Sequence, residues 1–543
     1  MAFFDAAFTD AAFVLPQALT TPQDVTTLRW ATAGYRSAPD DTPPNTLWGA
    51  RLLGDLVIRQ GGIDAISLGG MLGIGLGEIG VSDADAALAD LDRWGTADGR
   101  EIRVTVIPVV EPMRSDYGTP LAGRGLGASF DFSSGLAMTR RTDPTLAFRG
   151  LIQRIDRNAD RTGVIRISDW AERLNVPLQP VKFLGTGGLE GGDDLEGKPK
   201  PVAVGHAGNI TPVDLGDVDI GAGIGPLRTY MVNWREVAGV PAVRVRGLAQ
   251  TLVTGNPVLG QARVFPELGM FQLGGTPDGA VTADVRGDAA GGYPSSLAGV
   301  IQRVVSAMGP QLGPSEIDAT AFAFAEMDLP GEVGWYQGPD DTTCAAFITG
   351  LVQSCGALLV ARRGGRLGLV DPLATGDAQF TLTPSMIIEC EPVPMPLSLR
   401  PLPREVAVNW RRNWTPLTDM AGLVPSADRS WLSSMHSGPA RAASTKITRM
   451  VAQQQQWTFD GAYWAEADAR ARAQKCRAWL EGGPRAFRIT TDRYLDQIEC
   501  GHLGHVTYPA HELDAGAPIT VVDYEERVAE RRLTMIVITR PEV

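Results

Sequence analysis

Three closely spaced prolines, Pro199, Pro201 and Pro212, set the geometry of the segment Leu195–Asp214 and limit what can be built around it. Gly192-x-x-x-x-Gly197-Lys198 matches most of a phosphate-binding loop. Such a loop needs Ser or Thr after the lysine, to hold magnesium, and a helix opening behind it. Pro199 stands in that position, with no hydroxyl and no N–H to offer a phosphate. Each proline also biases the residue before it towards extended backbone. The segment therefore reads as extended chain, and a nucleotide site is set aside.

The rest of the chain fits a protein of many short strands. At 543 residues it exceeds what one hydrophobic core supports, so three to five domains are expected. Its 63 glycines and 38 prolines suit many turns between short elements. The net charge is −13, and no Lys/Arg run exceeds two, which disfavours stable nucleic-acid binding. An acidic wall can still line a passage for nucleic acid, where repulsion prevents sticking. No stretch of about 18 apolar residues is present to span a membrane. The amino terminus lacks a basic start and carries Asp5 and Asp10, so synthesis in a cytoplasm is expected.

Along the chain, residues 1–20 form an apolar arm with Phe3, Phe4, Phe8, Phe13 and Leu15, read either as a helix on its own domain or as a tail docking on a neighbouring subunit. A β-rich domain follows over 21–190. In it Ile102–Val106 alternates as a half-buried strand, Gly163–Asp169 suits a more buried one, and Asp83–Trp94 looks like a short helix. A second β-rich domain covers 191–285, with strands at Tyr230–Val232 and Val243–Val245. Residues 286–395 read as an α+β domain. Pro294 opens a helix with its stripe on Leu297, Val300, Ile301, Val304 and Met308; a second helix spans Asp341–Ser354. A hairpin over 358–370 turns at Gly364-Gly365, read as a primed two-residue turn. Proline-rich 392–403 marks a boundary. The C-terminal β domain, 396–543, holds strands at Glu405–Trp410, Ala486–Thr491, His505–Tyr508, Ile519–Tyr524 and Arg532–Thr539, with one helix at Ala462–Leu480. The fold class expected is mainly β with α+β.

Candidate chemistry is sparse. Gly75-x-Gly77-x-x-Gly80 matches a dinucleotide fingerprint literally, but the acidic residue that should end a second strand is missing, since Asp98 sits in a turn before its strand. Cys500, His502, His505 and His511 are side chains zinc accepts, at a spacing that fits no standard template and with strand positions on opposite faces. The five cysteines include no CxxC, and Cys344 and Cys355, eleven residues apart on one helix, would lie about 16 Å apart, too far for a bridge. Buried thiols are the better reading. No GxSxG or HExxH is present and no Cys and His stand in a hydrolase pattern, so no catalytic, cofactor or metal residue is assigned and no enzyme is expected.

Four blocks, in order, resemble tailed-bacteriophage tail hub proteins. The first is Gly197-Lys198-Pro199-Lys200-Pro201 … Gly205 … Asn209-Ile210-Thr211-Pro212. The second is Val281–Gly287, leading through Gly292-Tyr293-Pro294 into the Leu297–Met308 helix; the third is Gly331–Tyr336 with the helix and hairpin that end at Asp371-Pro372. The fourth is Val406-Ala407-Val408-Asn409-Trp410-Arg411-Arg412-Asn413-Trp414-Thr415. The similarity spans about residues 80–415 and weakens beyond. It implies a ring-forming structural virion protein: the central hub of a tail tip or baseplate in a long-tailed (siphovirus-like) phage, a prophage or a gene transfer agent. Such hubs are homotrimers that join the six-fold distal tail protein or tail tube ring to a three-fold tip. They contact the tape-measure protein C-terminus and tip or fibre proteins, and enclose the channel for DNA ejection. Unlike some relatives, this chain has no cysteine cluster for iron–sulfur. The resemblance makes Gly197–Pro212 a rigid connection between hub domains. The competing readings are a host receptor-binding tail protein and a cell-wall hydrolase carried on the tail.

Overall fold

The computed structural model describes residues 3–10, 26–31, 35–36, 39, 44–53, 57–61, 70–72, 74–76, 78–86, 88–89, 101–107, 145–221, 225–396, 402–444, 446, 456–494, 496–528 and 530–540. Across these the protein is mainly β with a helical inset, as the short strands and frequent turns led one to expect.

The N-terminal β unit is a nine-stranded sheet in the order Tyr35–Arg36, Leu47–Ala50, Thr26–Ala31, Phe3–Asp10, Glu101–Ile107, Thr145–Arg157, Thr162–Ser168, Glu78–Ser82, Leu52–Leu53. Its last strand and its second are separated in sequence only by Arg51, whose N–H donates to Ala31 O (3.0 Å) while its carbonyl accepts from Ser82 N–H (2.7 Å). That one residue ties the two sides of the sheet together and closes it towards a barrel, which removes open edges. Ile102, Val104 and Val106 point into the core while Arg103 faces out, the period of two read from the sequence.

The second β unit is two five-stranded sheets packed face to face. One runs Leu248–Ala249, Val237–Val245, Val281–Asp288, Val202–Ile210, Gly334–Gln337; the other runs Val213–Val218, Leu227–Met231, Met270–Leu273, Gln261–Phe265, Thr251–Leu252. The chain passes from the first sheet to the second at Thr211-Pro212, and Ala207, Val243, Tyr230 and Phe271 fill the space between them. A proline at this corner removes no ladder bond.

The helical inset comprises α1 (Leu297–Ala307), α2 (Ala319–Asp328) and α3 (Cys344–Cys355) against the hairpin Leu358–Arg362/Arg366–Val370. Ser296 and Thr343 cap α1 and α3 by accepting from Gly299 N–H and Ala346 N–H. Gly356, at φ +64°, ends α3 in the left-handed conformation. The C-terminal part has α4 (Ser426–Leu432), α5 (Glu466–Glu481) over the sheet Gly438–Ala443/Glu405–Trp410/Gln456–Asp460, and a larger sheet built on Leu513–Arg527 and Arg532–Thr539. The N-terminal region reaches into both later units: Gly70–Leu72 pairs in parallel with Leu358–Val360, and Val57–Gly61 pairs antiparallel with Asp523–Arg527.

Several expectations change. Of the expected arm, Phe3–Asp10 is an interior strand between Thr26–Ala31 and Glu101–Ile107 in place of a helix or a tail docking on a neighbouring subunit, and residues 11–20, with Phe13 and Leu15, lie outside the described ones. The backbone of Phe3–Asp10 is paired on both sides, with Glu101–Ile107 and with Thr26–Ala31. Thr162–Ser168 has no exposed residue, alternating buried with half-buried positions, and is the more buried strand expected of it. The hairpin turn has three residues, 363–365, with Gly365 at φ +71°, because Arg362 and Arg366 still pair; this is the common three-residue loop in place of a primed turn. Pro392 is no linker but lies in the edge strand Ile387–Val393, opposite Phe487. Proline is tolerated there because an edge has a free side. In the expected Asp83–Trp94 helix, Ala84 and Asp85 form a turn and Ala89 is helical, while residues 87 and 90–94 fall outside the described ones, as do 397–401 of the proline-rich stretch.

Candidate functional site

The Val202–Ile210 strand is buried at all nine positions. It changes partner midway. Val202–Gly205 pair with Gly334–Gln337, whereas His206, Ala207 and Ile210 pair with the strand carrying Ala283–Arg286. Gly205 makes the bend at φ +59°, and a Cβ there would lie 1.9 Å from the Val333 carbonyl oxygen. Only glycine admits both the conformation and the approach.

Asn209, at φ +50°, ends the strand in a dense polar node. Its N–H donates to Asp284 Oδ1 (2.8 Å), and Asp284 also takes two hydrogen bonds from Arg244 (2.8 and 2.7 Å). The Asn209 amide donates to Asn413 Oδ1 (2.8 Å) and to Thr415 O (2.7 Å). Asn413, fully buried, aims its own amide at the carbonyls of Trp431, Leu432 and Ser434 at 3.0, 3.1 and 2.9 Å, and Thr415 N–H donates back to its Oδ1. The Tyr336 hydroxyl closes the ring by donating to Thr211 O at 2.7 Å. Burial holds that phenol neutral, with its pKa raised well above the ordinary value.

A layer of rings lies beside the node. His206 stacks on Trp464 with centroids 3.6 Å apart, and its Nδ1 lies 3.3 Å from Glu332 Oε2. Glu332 also accepts from the Tyr293 hydroxyl at 3.0 Å. Burial lowers the His206 pKa in spite of Glu332, so the imidazole is neutral near pH 7. Arg411 lies over Trp431 (3.9 Å) and Trp464 (5.0 Å), and Arg412 over Trp414 (4.0 Å) and Trp335 (4.6 Å).

Every block singled out in the sequence therefore contributes to one site: Gly205–Thr211, Asp284, Tyr293, Glu332–Tyr336 and Asn413–Thr415. Nothing in this set makes a nucleophile, a general base next to one, or a cation cradle; its chemistry is that of a rigid hydrogen-bonded joint. Trp431 and Trp464 were missed, because neither stands in a motif. Their only signal was the unusual local density of tryptophan and arginine after residue 410.

The other sequence candidates lie elsewhere. Lys198 is exposed, and the chain around it is occupied by backbone pairing: Phe183 N–H donates to Lys198 O, and Gly197 N–H to Phe183 O. A strand, not a helix, follows. Gly75 and Gly80 lie in the strands Ile74–Leu76 and Glu78–Ser82, so no helix N-terminus faces a phosphate there. Cys500 is buried with its thiol donating to Gln60 O at 3.4 Å; His502 Nδ1 accepts from Glu499 N–H, and His511 stacks on Tyr508. Among the described residues no three His, Cys, Asp or Glu side chains converge as metal ligands. All five cysteines are buried and free. No helix is long and apolar enough to cross a membrane among those residues.

No protein-family profile matches the chain, and no curated protein matches it. Its fold is similar to that of a 43 kDa tail protein of prophage MuSo2 from Shewanella oneidensis, at 9% identity and TM-score 0.40, over 100% of this chain and 99% of that one. It is similar to a prophage tail protein from Listeria monocytogenes at 8% identity and TM-score 0.38, over 99% and 95%. A chain in the virion of a native gene transfer agent particle matches at 12% identity and TM-score 0.40, over 64% of this chain and 85% of that one. Two of these three structures are of prophage tail proteins and the third is of a gene transfer agent virion.

Proposed function

We propose that the chain is a structural hub at the tip of a phage-type tail, in a phage, a prophage or a gene transfer agent. The observation that supports this reading is the convergence of the hub-like blocks. Asn209 and Asn413 are 204 residues apart in sequence yet bonded, with Asp284 and Tyr336 on the same node. A resemblance scattered over short blocks has a physical explanation when those blocks are one packed joint. In this reading the β-rich units 21–190 and 191–285 from three copies form a pseudo-six-fold ring against the distal tail or tube ring. The units 286–395 and 396–543 carry the three-fold side, with the tape-measure C-terminus and tip or fibre proteins as neighbours. The net charge of −13 suits a channel wall that lets DNA pass without holding it.

Electron cryomicroscopy of the particle's tail tip tests it. Three copies on the tail axis are expected; six copies, or a position off the axis, would overturn the hub assignment.

A further inference from the structure

His206, buried, sits where three parts of the fold meet. It belongs to the Val202–Ile210 strand; Tyr293 precedes α1 and Glu332 follows α2 in the helical inset; Trp464 and Asp468 lie at the start of α5. Backbone bonds stitch the three together: His206 N–H donates to Val333 O (2.9 Å), Gly334 N–H to Ala462 O (3.1 Å) and Trp464 N–H to Glu332 O (2.8 Å). Asp468 Oδ2 accepts from Glu332 N–H at 3.2 Å.

The partners of the imidazole fix where its hydrogen sits. Glu332 accepts from Tyr293 through Oε1 and faces His206 Nδ1 with Oε2, so Nδ1 carries the hydrogen and Nε2 is left as an acceptor. Nε2 is buried and has no partner. A proton added there makes a second N–H with nothing to accept it, in a ring covered by Trp464 at 3.6 Å. The charged groups around the ring pull both ways. Glu332 and Asp284 favour the imidazolium, Arg286 opposes it, and Arg411 already lies over the Trp464 ring at 5.0 Å. Burial outweighs the carboxylates.

We propose that His206 is an acid-sensitive latch: proton uptake at Nε2 loosens the contact between the Val202–Ile210 strand, the inset and the start of α5, so that this joint opens locally. Opening lets water accept from the new N–H, and acid therefore favours the open joint. The latch is fully closed above the ordinary histidine value near 6.5 and releases as pH falls below it. The inference goes beyond the hub reading and does not depend on it, since every group named lies in one chain.

Hydrogen–deuterium exchange of the full chain, read by mass spectrometry between pH 7.5 and 5 and corrected for the intrinsic rate, tests this. Protection of peptides covering His206, Glu332–Gly334 and Ala462–Trp464 should fall on acidification, by up to about tenfold per pH unit, the limit for one proton. Protection of Leu297–Ala307 should hold, which separates local release from a loss of overall stability. His206→Asn keeps a donor for Glu332 and cannot take up this proton, so it should show no such fall. Histidine NMR of the parent needs no variant: the fall should track the protonation of His206, one of only five histidines to resolve. Unchanged protection at the joint, an equal fall in Leu297–Ala307, the same fall in His206→Asn, or protonation of His206 at a pH where the joint stays closed would each overturn the proposal.

Discussion

The side-chain amide of Asn209 donates to the side-chain oxygen of Asn413 at 2.8 Å, and through this bond the strand that ends the proline-rich segment is joined to the loop after Trp410. Asn413 is fully buried and serves both sides. Asn413→Ala removes the acceptor for Asn209 and Thr415 and strands three carbonyls. Unsatisfied buried groups cost about 1–3 kcal/mol each, so a loss of roughly 3 kcal/mol or more is expected in urea unfolding. A loss below about 1 kcal/mol would show that water replaces the amide freely.

Gly205 and Gly197 both have positive φ, +59° and +75°, but only Gly205 is crowded. An added methyl at Gly197 meets nothing within 4 Å, whereas at Gly205 it meets Val333 O at 1.9 Å. Gly197→Ala should therefore cost about 1 kcal/mol, the left-handed backbone penalty alone. Gly205→Ala adds a backbone clash and should cost about 3 kcal/mol or more, or prevent folding. Similar melting temperatures for the two variants would count against the bend as described.

His502 sets a pH response. Burial, aided by Arg362 and Arg363, pushes its imidazole down to about 3, so the unfolded chain binds this proton more readily than the folded one. Its contribution is fully present above the ordinary histidine value near 6.5 and is lost as pH falls, by about 1.4 kcal/mol per unit towards the folded value. His502→Asn keeps an acceptor for Glu499 N–H. It should flatten the stability slope between pH 6 and 4 by about one proton. An unchanged slope in urea titrations would rule His502 out as the source.

Arg363, in the three-residue hairpin loop, reaches into the C-terminal sheet and pairs with fully buried Glu526. Arg363→Ala removes the ion-pair partner of that buried carboxylate, and a loss of about 3–5 kcal/mol is expected. The double change Arg363→Met/Glu526→Leu should be less damaging than the single one, because neither charge remains. If the double variant is the worse of the two in chemical denaturation, the pair is a net stabiliser.

Elements with a strong local signal were legible in the sequence. The stripe from Leu297 to Val304 and the alternation at Ile102–Val106 each carry their own periodicity, and Glu405–Trp410 was placed with its bounds intact. Helix α2 was not, because Ala319–Asp328 alternates Ala-Phe-Ala-Phe and shows no helical stripe; its buried residues are only Phe322 and Ala325. The node was half legible. Its members stood in recognisable blocks, but the contact between Asn209 and Asn413 is a property of the tertiary fold. Arg412 was quoted in its block without its contact with the Trp335 ring, far away in sequence.

The pairing of Val57–Gly61 with Asp523–Arg527 bears on how the chain can be made. Cys500 donates to Gln60 across 440 residues, and Gln60 to Ala361 across 301. A ribosome delivers Gln60 long before either partner exists. Val57–Gly61 has an early partner in Ile74–Leu76 but must wait with its other edge unpaired, and the pairing of that edge is a late, slow event set by long-range loop closure. During that interval the waiting edge is open to other chains. Premature termination anywhere before Leu513–Arg527 would leave this edge uncovered, so truncated products should be held by chaperones or aggregate in place of forming a smaller folded unit.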